Sequence, residues 1–190
     1  MSRNYLENID RELFQRLKQG EKIACKELYE MYKDKVYSTS VRFLRNFHDA
    51  EDASQEIFLK IFRNINRFRG DSSLNTWIYR IAVNTCMDRL KSRMHTEKED
   101  DIYEVEETNV KISREYLPGN DLNIIENEIE KLPDRCKAVF ILRAVEGFKH
   151  EEISKILQVS VGTSKSQYFN AKAILRKNLL PYKKELLNEM

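Results

Sequence analysis

The chain has 190 residues, 41% of them hydrophobic and 34% charged, with only five Gly and three Pro; this is the profile of a helix-rich globular protein of one ordinary domain or two small ones. No apolar run approaches the roughly 18 residues needed to span a bilayer, and the N-terminal stretch MSRNYLENID has no hydrophobic signal core, so the chain is expected to stay in the cytoplasm without membrane insertion. The net charge of +2 hides an uneven distribution: residues 24–94 carry 13 Lys or Arg against 9 Asp or Glu, residues 95–131 carry 4 against 12, and residues 132–190 carry 11 against 6, so two basic segments flank an acidic one and both ends are suited to nucleic acid.

Residues 1–23 form a lead-in, in which Leu13, Phe14 and Leu17 predict a short amphipathic helix that Gly20 can terminate. A longer helix follows on Leu28, Tyr32, Val36, Phe43 and Leu44, and is expected to pack on the next one; Tyr29, Tyr32 and Tyr37 read as core and rim.

The stretch from Asp49 to Ser92 predicts two helices joined by a short loop. In the first, Asp49 can cap the N-terminus, and Ala53, Ile57, Phe58, Ile61, Phe62 and Ile65 fall on one side at about 100° per residue. Asp52, Gln55, Glu56, Leu59 and Arg63 fall on the other, which is either a solvated face or a partner surface; Leu59 among the acids argues for a partner. In the second helix, starting near Leu74, the buried side is Ile78, Tyr79, Ala82, Val83, Cys86 and Leu90, and the other carries Trp77, Arg80, Asn84, Asp88 and Lys91. An aromatic, amides and cations on one face suit bases that are stacked and hydrogen-bonded at their edges, although a Trp packed on a neighbouring helix explains the same residues. The connecting loop Phe68, Arg69, Gly70, Asp71, Ser72 and Ser73 is short and polar, and can form a small pocket for one extruded base.

DAEDASQEIFLKIF, then RFRGDSSLNTWIYRIAVN, then MDRLKS closely resembles region 2 of the extracytoplasmic-function (ECF) sigma factors of bacterial RNA polymerase, in the sigma-70 superfamily. The resemblance implies that Asp52, Gln55, Glu56 and Leu59 dock on the clamp helices of the largest polymerase subunit. It also implies that Phe68 to Ser73, Asn75, Trp77, Arg80 and Asn84 capture the minus-ten promoter element as its strands separate.

From His95 to Leu122 the sequence is acidic, contains Pro118 and Gly119, and shows no sustained period; it is expected to be a flexible linker. In ECF sigma factors such a linker is threaded along the polymerase near its active-site and RNA-exit channels.

Residues 123–187 predict a second helical unit. A helix ends at Pro133; the next carries Val139, Phe140, Leu142 and Val145 as its apolar set and stops at Gly147. Then come a short helix with Ile153, Ile156 and Leu157, a tight turn, and a basic helix, which together form a helix-turn-helix arrangement. In that last helix Val161, Tyr168, Ala171 and Leu175 line the buried side with Ser164 near its edge, and Lys165, Ser166, Phe169, Asn170, Ala173, Arg176 and Lys177 occupy the other. Small residues among an amide and cations fit a major groove, and Phe169 is costly in water unless it meets something apolar such as a thymine methyl. LPDRCKAVFILRAVEGFKHEEISKIL followed by SVGTSKSQYFNAKAILRKNL resembles region 4 of the same family, which implies that Lys165, Ser166, Phe169, Asn170, Lys172 and Arg176 bind the minus-thirty-five element. Ser164 departs from the family's usual apolar residue, and Gln167 and Asn170 stand where Arg is common. Those changes weaken phosphate attraction and alter base preference, so the upstream sequence is not transferable from a relative.

The expected organisation is therefore all-α, with two small helical domains (24–94 and 123–187), a lead-in (1–23) and an acidic linker (95–122). The expected function is promoter-specific initiation with core RNA polymerase, restrained by an anti-sigma factor. No catalytic constellation, metal site or cofactor is indicated: Cys25, Cys86 and Cys136 are scattered, as are His48, His95 and His150, and Glu151 and Glu152 read as acids in a first helical turn. Three other readings stay open: a helix-turn-helix repressor acting without polymerase, a helical adaptor that binds only proteins, and a helical metal-carboxylate enzyme using Glu27, Glu30 and His48.

Overall fold

The computed structural model describes residues 12–99 and 120–188, with side chains described for residues 12–93 and 124–182. Every element among them is helical, and they form two compact units, one N-terminal and one C-terminal.

In the first unit, α1 (residues 12–18) ends at Gly20, whose φ of 73° is open to glycine without strain. Leu13, Phe14 and Leu17 are buried as the amphipathic pattern requires. Arg16 ties α1 to the following helix, donating to Glu21 from Nε at 2.8 Å and to Glu27 from Nη1 at 2.8 Å. The three long helices α2 (Lys22–Leu44), α3 (Phe47–Asn64) and α4 (Leu74–Glu99) pack on one another. Their interior holds Leu28, Val36, Phe43, Ile57, Ile61, Ile78, Val83 and Cys86, while Tyr29 and Tyr37 sit on the rim and Tyr32 inside. Where the helices approach closely the residues are small: Ser54 reaches Ser40 at 3.5 Å and the Cys86 thiol reaches the same hydroxyl at 3.7 Å. Both serines also donate to carbonyls one turn back, so the small polar groups are buried with partners.

The cap of α3 differs from expectation. Asn46, not Asp49, is the N-cap, with its side chain accepting the Asp49 N–H at 3.0 Å, so the helix starts at Phe47. A capping amide three residues before a first-turn acid satisfies the free N–H directly and leaves Asp49 to favour the helix dipole.

The second unit comprises α5 (Asn120–Glu130), α6 (Asp134–Phe140) running into a π-helical turn (Ile141–Val145), α7 (His150–Leu157) and α8 (Val161–Asn188). Leu132, Cys136, Ala171 and Leu175 form one core, joined by Ile129, Phe140, Ile174 and Leu179. Val145 is 46% exposed, contrary to the apolar set read from the sequence. The π turn explains it: the Glu146 N–H bonds the Ile141 carbonyl five residues back at 3.0 Å, and the widened turn swings Val145 outward while burying Ile141 and Phe148.

The stretch read as a linker, 95–122, lies largely outside the described residues; helix occupies both its ends, since α4 continues to Glu99 and α5 begins at Asn120.

Candidate nucleic-acid interface

The first candidate surface is the outer side of α3. Leu59 is 53% exposed although Ile57, Phe58 and Ile61 beside it are buried, so it is an apolar side chain held in water by the register of its own helix. Asp52 and Gln55 flank it in the open, with Asp52 3.6 Å from His48. Glu56 is different. Its carboxylate accepts from Lys60 at 2.7 Å and from Arg89 of α4 at 2.9 and 3.0 Å, and Lys60 also donates to Thr85 at 3.1 Å. The Lys60 hydrogen bond, and then that from Arg89, hold Glu56 below its ordinary value against the opposing effect of burial. Glu56 thus clamps α3 to α4, leaving Leu59, Asp52 and Gln55 as the open part of the face.

The second surface joins the loop after α3 to the start of α4. After a 3-10 turn (Ile65–Arg67), Phe68 is only 7% exposed: its ring meets Phe14 edge-on at 4.8 Å and lies 5.2 Å from Trp77. Read from sequence as a pocket residue, Phe68 instead supports Trp77 from below, because an aromatic beside a polar loop lowers its free energy most by joining the core. Ser73 likewise has a structural task, capping α4 by accepting the Thr76 N–H at 3.1 Å and meeting the Thr76 hydroxyl at 2.9 Å. Gly70 takes φ 82°, letting the loop turn back between Arg69 and Asp71, both exposed. Ser72 is half-buried and donates to the Ser73 carbonyl at 3.3 Å. Trp77 and Arg80 are half-buried, Asn84 is exposed, and the Asn75 amide makes no hydrogen bond among the described residues. What remains open is a supported indole, unpaired amides and the Arg69 guanidinium around one tight loop.

The third surface is α8. Ser160 caps it by accepting the Thr163 N–H at 2.9 Å, and Gln158, at φ 55°, makes the sharp turn out of α7. Glu152 accepts the Lys149 N–H at 2.8 Å, so it is indeed an acid of the first turn of α7, where Ile153 and Ile156 are buried and Leu157 half-buried. On α8, Ala171 and Leu175 are buried and Val161 and Tyr168 half-buried; Lys165, Ser166, Asn170, Lys172, Ala173, Arg176 and Lys177 are exposed, and Phe169 is 68% exposed. Lys172 rests over the Tyr168 ring at 4.7 Å, and Ser166 donates back to the Thr163 carbonyl at 2.9 Å, so Lys165, Phe169, Asn170 and Arg176 present the more available groups.

Ser164, near the edge of the buried side by its spacing, and Gln167 find partners on other helices that the sequence does not reveal. Ser164 is fully buried, 2.8 Å from His150 Nδ1, and the Cys136 thiol donates to Gln167 Oε1 at 2.9 Å. Burial pushes the Cys86 thiol up to about 11 and also raises Cys136, so neither is an activated nucleophile. Among the described residues no group of His, Cys, Asp and Glu is arranged to hold a metal ion, and Glu27 is bonded to Arg16.

Two family models match this chain, Sigma-70 region 2 over residues 28–96 and Sigma-70 region 4 over residues 122–175. The chain is 32% identical to the ECF RNA polymerase sigma-E factor of Haemophilus influenzae, covering 90% of this chain and 96% of that protein. It is 30% identical to ECF RNA polymerase sigma factor SigW of Bacillus subtilis (92% and 98% covered), and 30% identical to RNA polymerase sigma-H factor of Pseudomonas aeruginosa (93% and 96%). Among solved structures, the fold is shared with the sigma factor RpoE of Bartonella quintana, determined with the anti-sigma factor NepR (TM-score 0.69, 21% identity, 81% of this chain and 95% of that one). It is shared also with CnrH, determined with the cytosolic domain of CnrY (TM-score 0.67, 20% identity, 90% and 96%).

Proposed function

The chain belongs to the ECF sigma factors of bacterial RNA polymerase, and on that premise we propose how its three open faces divide the work of initiation. It binds core RNA polymerase and directs promoter-specific transcription; the family's members carry out no reaction of their own. Leu59, with Asp52 and Gln55, docks on the clamp helices of the largest subunit: the exposed leucine loses its contact with water there, and the polar neighbours set register. Glu56 contributes by holding α3 and α4 together.

The loop from Arg69 to Ser73 with Asn75, Trp77, Arg80 and Asn84 captures the melted minus-ten strand. A base extruded from the duplex stacks on the indole, the Asn75 and Asn84 amides read its edge, and Arg69 and Arg80 neutralise phosphates. Stacking is worth about 1–3 kcal/mol per base, which offsets part of the lost pairing, so opening needs no chemical fuel from sigma. The observation that carries this reading is the Trp77 indole packed against Phe68, whose own ring is held edge-on by Phe14. The exposed face of α8 reads the minus-thirty-five duplex, with Phe169 against a thymine methyl, Asn170 at base edges and Lys165, Lys172 and Arg176 at phosphates or guanine. The chain acts in the cytoplasm; no described helix is long and apolar enough to cross a membrane. An anti-sigma factor restrains it by covering the Leu59 face and α8, as the family and the partner of the RpoE structure suggest.

Two substitutions test the division. Trp77→Ala should weaken capture of a forked minus-ten oligonucleotide at least about 5-fold, the lower end of one stacked base, while leaving core affinity unchanged. Leu59→Ala should do the reverse. Equal loss of both activities in either folded variant would contradict the assignment.

A further inference from the structure

The underside of the readout helix is held by hydrogen bonds from two other helices. Ser164, with no exposed surface, meets His150 Nδ1 of α7 at 2.8 Å, and Gln167, half-buried one turn on, accepts from the Cys136 thiol of α6 at 2.9 Å. Both α8 side chains lie on the same side, because residues three apart share a helix face. Phe169 falls roughly opposite them at about 100° per residue. Apolar contacts in this place tolerate small rotations and slides; hydrogen bonds from two directions do not, since they weaken steeply with angle.

His150 is itself well held. Its ring meets Tyr168 edge-on at 5.8 Å, and Tyr168 stacks on Phe140 at 6.0 Å. Burial, and then the positive charges of Arg143, Lys165 and Lys172 against the opposing Glu151, lower the imidazole below its ordinary value and favour the neutral form, in which either tautomer retains the bond to the serine hydroxyl.

We propose that His150 and Cys136 are positioning residues for upstream base readout: through Ser164 and Gln167 they fix the rotation and depth of α8, and so decide which base-pair edge Phe169 and Asn170 meet. Neither touches DNA. The inference rests on the reading of α8 as the minus-thirty-five reader, and it assigns to the buried side of that helix a share of sequence choice.

The test uses the full chain with core polymerase and a promoter library randomised across the upstream element, from which bound DNA is selected and sequenced. Ser164→Ala and Cys136→Ala should each relax preference about 3- to 10-fold at the base pairs under Phe169 and Asn170, the worth of one net hydrogen bond. Preferences elsewhere should be unchanged, as should core affinity and thermal unfolding to within a few degrees. Ser164→Thr, which keeps the hydroxyl, should retain the native preference. An unchanged profile in both alanine variants, or a uniform loss across all sequences, would overturn the inference, because a merely structural bond lowers every affinity alike. If the native chain selects no upstream sequence at all, the reading of α8 fails first and the inference falls with it.

Discussion

Trp77, the single tryptophan of the chain, shows how much a residue's role depends on its neighbours. Its place on the outer face of α4 follows from spacing alone, but the aromatic ladder under it needs Phe14, more than sixty positions away in sequence, and periodicity within one helix carries no information about that. The same applies to Ser73 and Glu56, whose residue types suit an open site but whose groups are taken by the α4 N-terminus and by Lys60 and Arg89. On α8 the exposed and buried sides were legible from the spacing of Tyr168, Ala171 and Leu175 alone, whereas the polar partners of Ser164 and Gln167 come from other helices. Two residues on that face separate base readout from charge. Phe169→Ala should relax preference at one base pair, while Arg176→Ala should weaken binding to all sequences and reduce the salt dependence by about one phosphate. Duplex binding titrations over a range of salt check both, and identical behaviour of the two variants would remove Phe169 from readout.

At the level of elements, most helices follow from their apolar patterns, and the exceptions have local causes. Asn46 outcompetes Asp49 as a cap because its amide reaches the free N–H. The π turn at Ile141–Val145 breaks the period that would have buried Val145, and no residue type in that stretch announces it. The lead-in helix α1 is short and would be marginal alone, yet it is fixed by Leu13, Phe14 and Leu17 and by the Arg16 bonds to Glu21 and Glu27. Phe14→Ala removes a buried ring and should destabilise the first unit by about 3 kcal/mol, and should also weaken single-stranded minus-ten binding because Phe68 and Trp77 lose their support. Phe14→Leu should recover most of both. Urea unfolding and oligonucleotide affinity measured together check this; full stability loss with unaltered affinity would detach α1 from the site.

The α3 to α4 clamp gives a pH dependence with a defined sign. Glu56 is held below its ordinary value of 4.5 by Lys60 and Arg89. The unfolded chain therefore binds the proton more readily than the folded one, so the clamp's contribution is present above about 4.5 and disappears as pH falls through the lowered folded value. The contribution is modest, since the carboxylate is 38% exposed and partly screened. Glu56→Gln should flatten the acid limb of the stability curve relative to the native chain, with little change at Leu59; a parallel limb would show that the clamp does not titrate.

Across the whole chain, charge is arranged by function: basic where both units meet DNA, acidic from 95 to 131. On the proposed division, separate faces of two helical units bind a polymerase, hold a melted strand and read a duplex, so each task should be removable by substitution. The central claim is that the chain initiates transcription at chosen promoters, and run-off transcription with sigma-free bacterial core polymerase and genomic DNA fragments from the source tests it most directly. Discrete new transcripts sharing two upstream elements, lost with Trp77→Ala or with Lys165→Ala and Asn170→Ala combined, are the predicted result. A folded chain that binds duplex DNA tightly without polymerase, and yields no transcript from a core that a related sigma factor activates, would contradict it.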